Sequence, residues 1–191
     1  MTATLGRADL HIHTLASDGT DGIAAILDHV ERSTELDVIA ITDHERIDAA
    51  LAARTMARER GLRFEVVVGE EVSTLGGHLL GLFLEERVRP LRTLRTTIAE
   101  IHEQGGLAIP AHPLVPYPLC AQGWVLRRLL ADRDARVHPD AIEAFNPTMF
   151  GRPWHRRVVA FATEHGLPTV GNSDAHEAAA VGTGWSTFPG R

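Results

Sequence analysis

Repeatedly along this chain a strand-like apolar run ends in a histidine or a carboxylate, and that recurrence restricts the fold more than any other feature. Ala8–His13 closes on His11 and His13. DVIAIT (37–42) runs into Asp43 and His44, and RFEVVVG (63–69) runs into Glu70 and Glu71. Leu107–Ala111 ends at His112, and Leu167–Gly171 runs into NSDAH, which carries Asp174 and His176. Helix-like stretches separate these runs: Gly22–Arg32, with Ile23, Ile26, Leu27 and Val30 at helical spacing, Ile47–Arg60 closed by Gly61, Leu91–Gln104, Tyr117–Ala131 and Trp154–His165. His78–Leu84 after the Gly76-Gly77 turn and Asp140–Phe145 bring the strand count to about seven. Such alternation predicts an α/β fold with a largely parallel sheet, open or closed into a barrel. A barrel fits better, because it brings the C-terminal ends of its strands to one face. The length suits a single domain over residues 1–191.

Composition removes several classes of function. Every one of the 19 basic residues is arginine. A Schiff-base lysine, a phosphate-loop lysine and a carboxylated lysine bridging two metals are therefore excluded. Cys120 is the lone cysteine, which rules out an internal disulfide and a multi-cysteine zinc knuckle. Nor does Cys120, with no histidine beside it in sequence, read as a nucleophile. A net charge of −6 argues against an extended nucleic-acid surface, though not against a short nucleotide. Neither a membrane-spanning apolar run nor a secretory leader is visible, so no membrane partner and a cytoplasmic location are expected.

The polar strand ends read as metal ligands. His11 and His13 stand two apart, so on a strand they share one face and can bind one ion. Asp174 and His176 repeat that spacing. Imidazoles mixed with carboxylates suit Zn, Mn or Fe. Asp43 and His44 are neighbours and must face opposite ways. His44 is expected to be the ligand, with Asp43 behind it as the catalytic residue that orients a ring nitrogen. Of Glu70 and Glu71, Glu71 is expected to bridge cations, while Glu70 faces solvent or pairs with an arginine. His78 would face Glu71 near a hairpin turn, and His112 leaves its strand into Pro113. Asp18, in a Ser-Asp-Gly turn, reads either as a turn residue or as a ligand swinging in. His29, His102 and His165 fall in helices and read as solvated or capping. His138 sits in a polar loop, and His155 lies near Trp154 and Arg152.

Assembled, these pieces resemble the polymerase-and-histidinol-phosphatase (PHP) family. The matching segments are DLHIHTLASDG, ITDH at 41–44, GEEVST at 69–74 with GHLLGLF at 77–83, AHP at 111–113 and SDAH at 173–176. The resemblance implies a distorted (β/α)7 TIM-like barrel, a small stand-alone member, with two or three divalent metals at its mouth. It implies His11, His13, Glu71 and Asp174 around one metal. Glu71 would bridge to a second held by His78 and His112, and Asp18, His44 and His176 would hold a third. The implied activity is a metal-dependent phosphoesterase acting on a small phosphomonoester or short nucleotide, with a metal-bridging hydroxide attacking phosphorus in line.

A phosphate also attracts arginine. Arg152, just beyond the sixth strand, is expected to bind substrate together with Asn146, and Glu143 lies in position to line the mouth. Residues 114–139 are expected to form the specificity wall. Two other functions fit part of the pattern. An amidohydrolase-type C–N or C–O hydrolase also opens with His-x-His on a barrel strand. A non-catalytic metal-binding regulatory module would need a decayed ligand set.

Overall fold

The architecture follows from how the strands bury both faces. In the computed structural model, which describes residues 5–148 and 152–190, a six-stranded sheet runs in the order β5-β4-β3-β2-β1-β8. The strands are β1 (Leu5–Asp9), β2 (Val38–Ile41), β3 (Glu65–Thr74), β4 (Gly77–Leu82), β5 (Leu107–Pro110) and β8 (Ser186–Pro189). A separate parallel pair joins β6 (Ile142–Phe145) to β7 (Thr169–Gly171). The helices are α1 (Ile23–Ser33), α2 (Asp48–Arg60), α3 (Leu94–Glu103), α4 (Gly123–Leu130) and α5 (His155–His165).

Two apolar clusters lie on opposite faces of the curled sheet. Ile39, Ile41, Val66, Val68 and Leu79 join the helices, including Ile26, Leu27 and Val30 of α1 and the alanine stripe Ala49, Ala50, Ala53 and Ala57 of α2. Ala40, Val67, Leu80, Leu82, Ile109 and Ala111 form a smaller cluster inside the curl. Alternation along a strand then decides where each polar end points. Glu71 follows Val67 and Gly69 to the inner face. Glu70 follows Val66 and Val68 outward, beneath the helix layer.

The two-stranded piece bridges the gap between β5 and β1. The Asp140 N–H donates to the Ala108 carbonyl at 3.0 Å. On the other side Leu10 N–H donates to Asn172 Oδ1 (3.1 Å), Ser173 N–H to Asp9 Oδ1 (2.9 Å) and His13 N–H to the Ala175 carbonyl (2.8 Å). These joints rely partly on side chains, so the expected ring of parallel strands is met in the coarser form of a curled α/β sheet. Eight strands and five helices are present among the described residues.

The expected hairpin at Thr74–Gly77 pairs β4 antiparallel with β3. Four local expectations change. β4 also runs antiparallel to β5, which reduces the parallel share of the sheet. β1 ends at Asp9, and the His-x-His segment beyond it keeps only an isolated parallel bridge between Ile12 and Ala175. The helix expected over 117–131 begins at Gly123, since Pro116 and Pro118 deny the preceding turn its donors. The short β8, antiparallel to β1, was not expected. No helix among the described residues is long and apolar enough to cross a membrane.

Candidate metal centre

At the C-terminal mouth of the curl the polar strand ends meet around one carboxylate. Glu71 Oε2 lies 3.1 Å from His11 Nε2, 3.2 Å from His13 Nε2 and 3.5 Å from His44 Nε2. Its other oxygen lies 2.9 Å from His78 Nδ1 and 3.1 Å from His112 Nε2. Asp174 Oδ1 is 3.4 Å from both His11 Nε2 and His13 Nε2. Asp18 Oδ2 faces His176 Nε2 at 3.3 Å and His44 Nε2 at 3.6 Å, and its Oδ1 is 3.4 Å from His13 Nδ1. All nine residues expected as ligands therefore lie in one cup of about 440 Å³ or just beneath it.

Several features draw this cup together. Gly19 closes the first loop against His13: a Cβ there would sit 2.7 Å from the His13 carbonyl oxygen. Asp43 holds the same loop. Its carboxylate accepts from Thr14 N–H (2.7 Å), the Thr14 hydroxyl (2.8 Å) and the Ser17 hydroxyl (2.6 Å). This corrects the expectation that Asp43 orients a ring nitrogen as a catalytic residue; it folds the segment that presents Asp18. His112 and Asp174 both adopt positive φ, 29° and 53°. Such strain costs of order 1–3 kcal/mol for a non-glycine residue. For His112 the following Pro113 makes the conformation still less favourable.

Behind the cup stands a residue the sequence reading placed only at the mouth. Glu143 is buried, and its Oε1 accepts from His11 Nδ1 at 3.0 Å and from Asn172 Nδ2 at 2.8 Å. Its Oε2 accepts from the His112 N–H at 2.7 Å. A carboxylate can only accept here, so Nδ1 of His11 carries a proton and Nε2 is turned to the centre. The signal was present in DAIEAF: a lone acid inside a buried apolar strand. Cys120 has no histidine beside it in sequence, yet its Sγ lies 3.2 Å from His112 Nδ1.

The substrate-binding expectations do not match the placement. Asn146 is buried and donates to Glu143 Oε2 (3.2 Å) and Asp174 Oδ2 (2.9 Å), so it braces the ligands from behind. Arg152 is exposed and is not among the residues that line the cup. Glu70 is not solvated. It is fully buried, accepts from Val88 N–H at 2.8 Å and has Arg87 Nε at 3.8 Å. Of the remaining histidines, His102 is neither free nor capping, since it bonds the Arg136 carbonyl and Asp140 Oδ2. His155 turns from the rim to the Ala144 carbonyl at 2.6 Å.

Electrostatics point the same way. Burial alone would lower the His11 pKa, but the charges of Asp174, Glu71 and Glu143 raise it well above the ordinary value. His13 is pushed up to about 9: burial opposes the shift, and the carboxylates of Asp174 and Glu71, 3.4 and 3.2 Å from Nε2, overcome it. His112 is raised against burial by its bonds to Cys120 and Glu71. Burial would raise Glu71 and Asp174, yet His11 and His13 hold both carboxyls below their usual range. So much buried carboxylate demands positive charge, which the polypeptide by itself can supply only as protons on imidazole.

Divalent cations fit this demand. Both ring nitrogens of His13 and Nδ1 of His78 are buried without a hydrogen-bond partner; the latter approaches Glu71 but out of line. Unpaired buried nitrogens cost free energy unless a lone pair is used otherwise. Four triads have ligand atoms within 4.8 Å of one another: His11, His13 and Asp174; His13, His44 and Glu71; His13, Asp18 and His176; Glu71, His78 and His112. His13 and Glu71 are shared between triads, which is the arrangement of a cluster rather than of isolated sites.

A family profile described as PHP-associated matches residues 152–191. An uncharacterized protein of Methanocaldococcus jannaschii, MJ1587, is 36% identical over 151 residues, covering 73% of this chain and 81% of its own. The 5'-3' exoribonuclease Rnm of Escherichia coli is 37% identical over 83 residues, which span 40% of this chain and 27% of Rnm. In fold, the chain resembles a two-domain protein from Bacteroides vulgatus containing a predicted PHP-like metal-dependent phosphoesterase. The TM-score is 0.71 at 18% identity, covering 93% of this chain and 54% of that one.

Proposed function

This chain belongs to the polymerase-and-histidinol-phosphatase (PHP) family, and from that premise we propose that it is a metal-dependent phosphoesterase acting on a small phosphomonoester or short nucleotide. The observation that carries the reading is the division of Glu71. One oxygen faces His11, His13 and His44; the other faces His78 and His112. A carboxylate so placed can hold two cations side by side. Asp18, His44 and His176 offer a third position nearer solvent. In this reading the curled sheet is a distorted (β/α)7 barrel whose mouth is the active site.

Bound divalent cations would supply an activated water and offset the charge that develops on a phosphoryl group. The polypeptide supplies the rest. Glu143 and Asn146 fix the ligands from behind, so little reorganisation is needed when charge develops. Asp43 keeps Asp18 at the rim. His176 and Asp18, the more exposed pair, form the solvent edge of the cup.

The test is direct. The purified chain is loaded with Mn or Zn, its metal content is measured, and release of phosphate from a model ester is compared with release of amine from a model amide. Turnover of the ester alone is expected. Amide turnover without phosphate release would instead favour the amidohydrolase reading, and a chain that retains no metal would favour a non-catalytic module.

A further inference from the structure

Resting on the phosphoesterase reading, we propose that Tyr117 and Leu119 form a binding wall for a flat ring in the substrate's alcohol portion, making the chain selective for ring-bearing phosphate esters. The cup is larger than a phosphoryl group requires: at about 440 Å³ it lies within the roughly 300–1,000 Å³ range of cavities that enclose a small organic molecule. Its chemistry is also divided. Asp18, His44, Glu71, His78, His112, Asp174 and His176 line the cup with imidazoles and carboxylates. The loop after β5 adds Tyr117 and Leu119 beside Cys120.

These two side chains are large, and they remain 54% and 43% exposed at the edge of an otherwise polar cavity. The backbone that carries them is held in place. The Leu119 carbonyl accepts from the His78 N–H at 2.8 Å, and Cys120 N–H donates to the Tyr117 carbonyl at 3.1 Å. Gly77, at φ 120°, lets this loop approach the hairpin; a Cβ there would fall 2.3 Å from Ala121 N. The wall is thus tied by backbone to His78, one of the proposed ligands. In this proposal a phosphate held at the ligand cluster presents its ester group to Tyr117 and Leu119. Apolar surface there is covered when the group is a flat ring, and a phenol face favours offset or edge-on contact with one.

The experiment measures binding of phenylphosphonate and methylphosphonate, which bear the same charge and cannot turn over as esters, to the metal-loaded chain by titration calorimetry. Wild type is expected to bind phenylphosphonate at least about tenfold more tightly. Tyr117→Ala and Leu119→Ala are each expected to bring the ratio of the two affinities toward one, and Tyr117→Phe to preserve it. Circular dichroism and metal content verify that each variant is folded and loaded. Equal affinities in wild type, or a ratio unmoved by both alanine variants, overturn the wall while leaving the phosphoesterase reading standing. If the loaded chain binds neither phosphonate yet hydrolyses amides, the phosphoesterase reading fails and this proposal with it.

Discussion

His11 and Glu143 stand 132 residues apart in sequence, yet Nδ1 of the one lies 3.0 Å from Oε1 of the other, both fully buried. The pair sets the tautomer that leaves His11 Nε2 turned toward Glu71. Glu143→Ala should therefore weaken metal binding by roughly 10–100-fold, the usual loss when a ligand's supporting carboxylate is removed. Glu143→Gln, which can still accept from Nδ1, should lose less. Metal titration of both variants checks this; equal affinity in wild type and Glu143→Ala would refute the role.

Cys120 and His112 form a second such pair on the other side of the cup. Cys120→Ser retains a small polar partner for His112 Nδ1, whereas Cys120→Ala leaves that nitrogen buried and unpaired. The alanine variant should bind fewer metal ions per chain after dialysis, and the serine variant should lie close to wild type. A loss shared equally by both would show that the sulfur is needed only for packing.

The polypeptide without metal should have an unusual pH profile. His11, His13 and His112 have raised pKa values, so they bind protons more tightly folded than unfolded. Their stabilisation is complete below the unfolded histidine value, near 6.5, and is lost as pH rises through the folded values, about 9 for His13. Glu71 and Asp174, held low, contribute above about pH 4 and lose that contribution in acid. Melting temperatures of the chelated protein should therefore peak in mildly acidic buffer and fall toward pH 9. Metal-loaded protein should not show the alkaline fall, because ligating rings are already deprotonated. A flat profile for the chelated protein would contradict the buried charge balance.

Glu70 offers an independent test away from the ligands' own face. Burial pushes its carboxyl up to about 7. Its stabilising contribution is thus present below about pH 4.5 and is lost as pH rises through 7. Glu70→Gln keeps an acceptor for the Val88 N–H and removes the charge. The variant should gain on the order of 2–3 kcal/mol over wild type at pH 8 and nothing at pH 4.5, measured by chemical denaturation. An equal difference at both values would mean that the carboxylate is already compensated by Arg87.

Much of this molecule was legible in one dimension. The alternation of strand and helix, the helix-layer faces of α1 and α2, and the candidate ligands all announce themselves locally. An imidazole or carboxylate at the end of an apolar run is costly unless something pairs with it. That same rule, applied to DAIEAF, would have singled out Glu143. The hairpin at Gly76-Gly77 was readable too, because a glycine pair demands a turn.

What only the folded chain decided is which partner each polar group meets. Asp43 and Asn146 look like site residues by position, yet close packing turns the first to the Thr14–Ser17 loop and the second to the back of Glu143 and Asp174. Arg152 and Cys120 exchange importance for a similar reason: the proline-broken loop after β5 folds over the cup and carries Cys120 to His112, while Arg152 stays outside. Sequence periodicity specifies the face of an element, because side-chain direction repeats with the backbone. It carries no information on the distance between elements far apart in the chain, which depends on how the curl closes and on residues such as His112 and Asp174 held at positive φ by their surroundings.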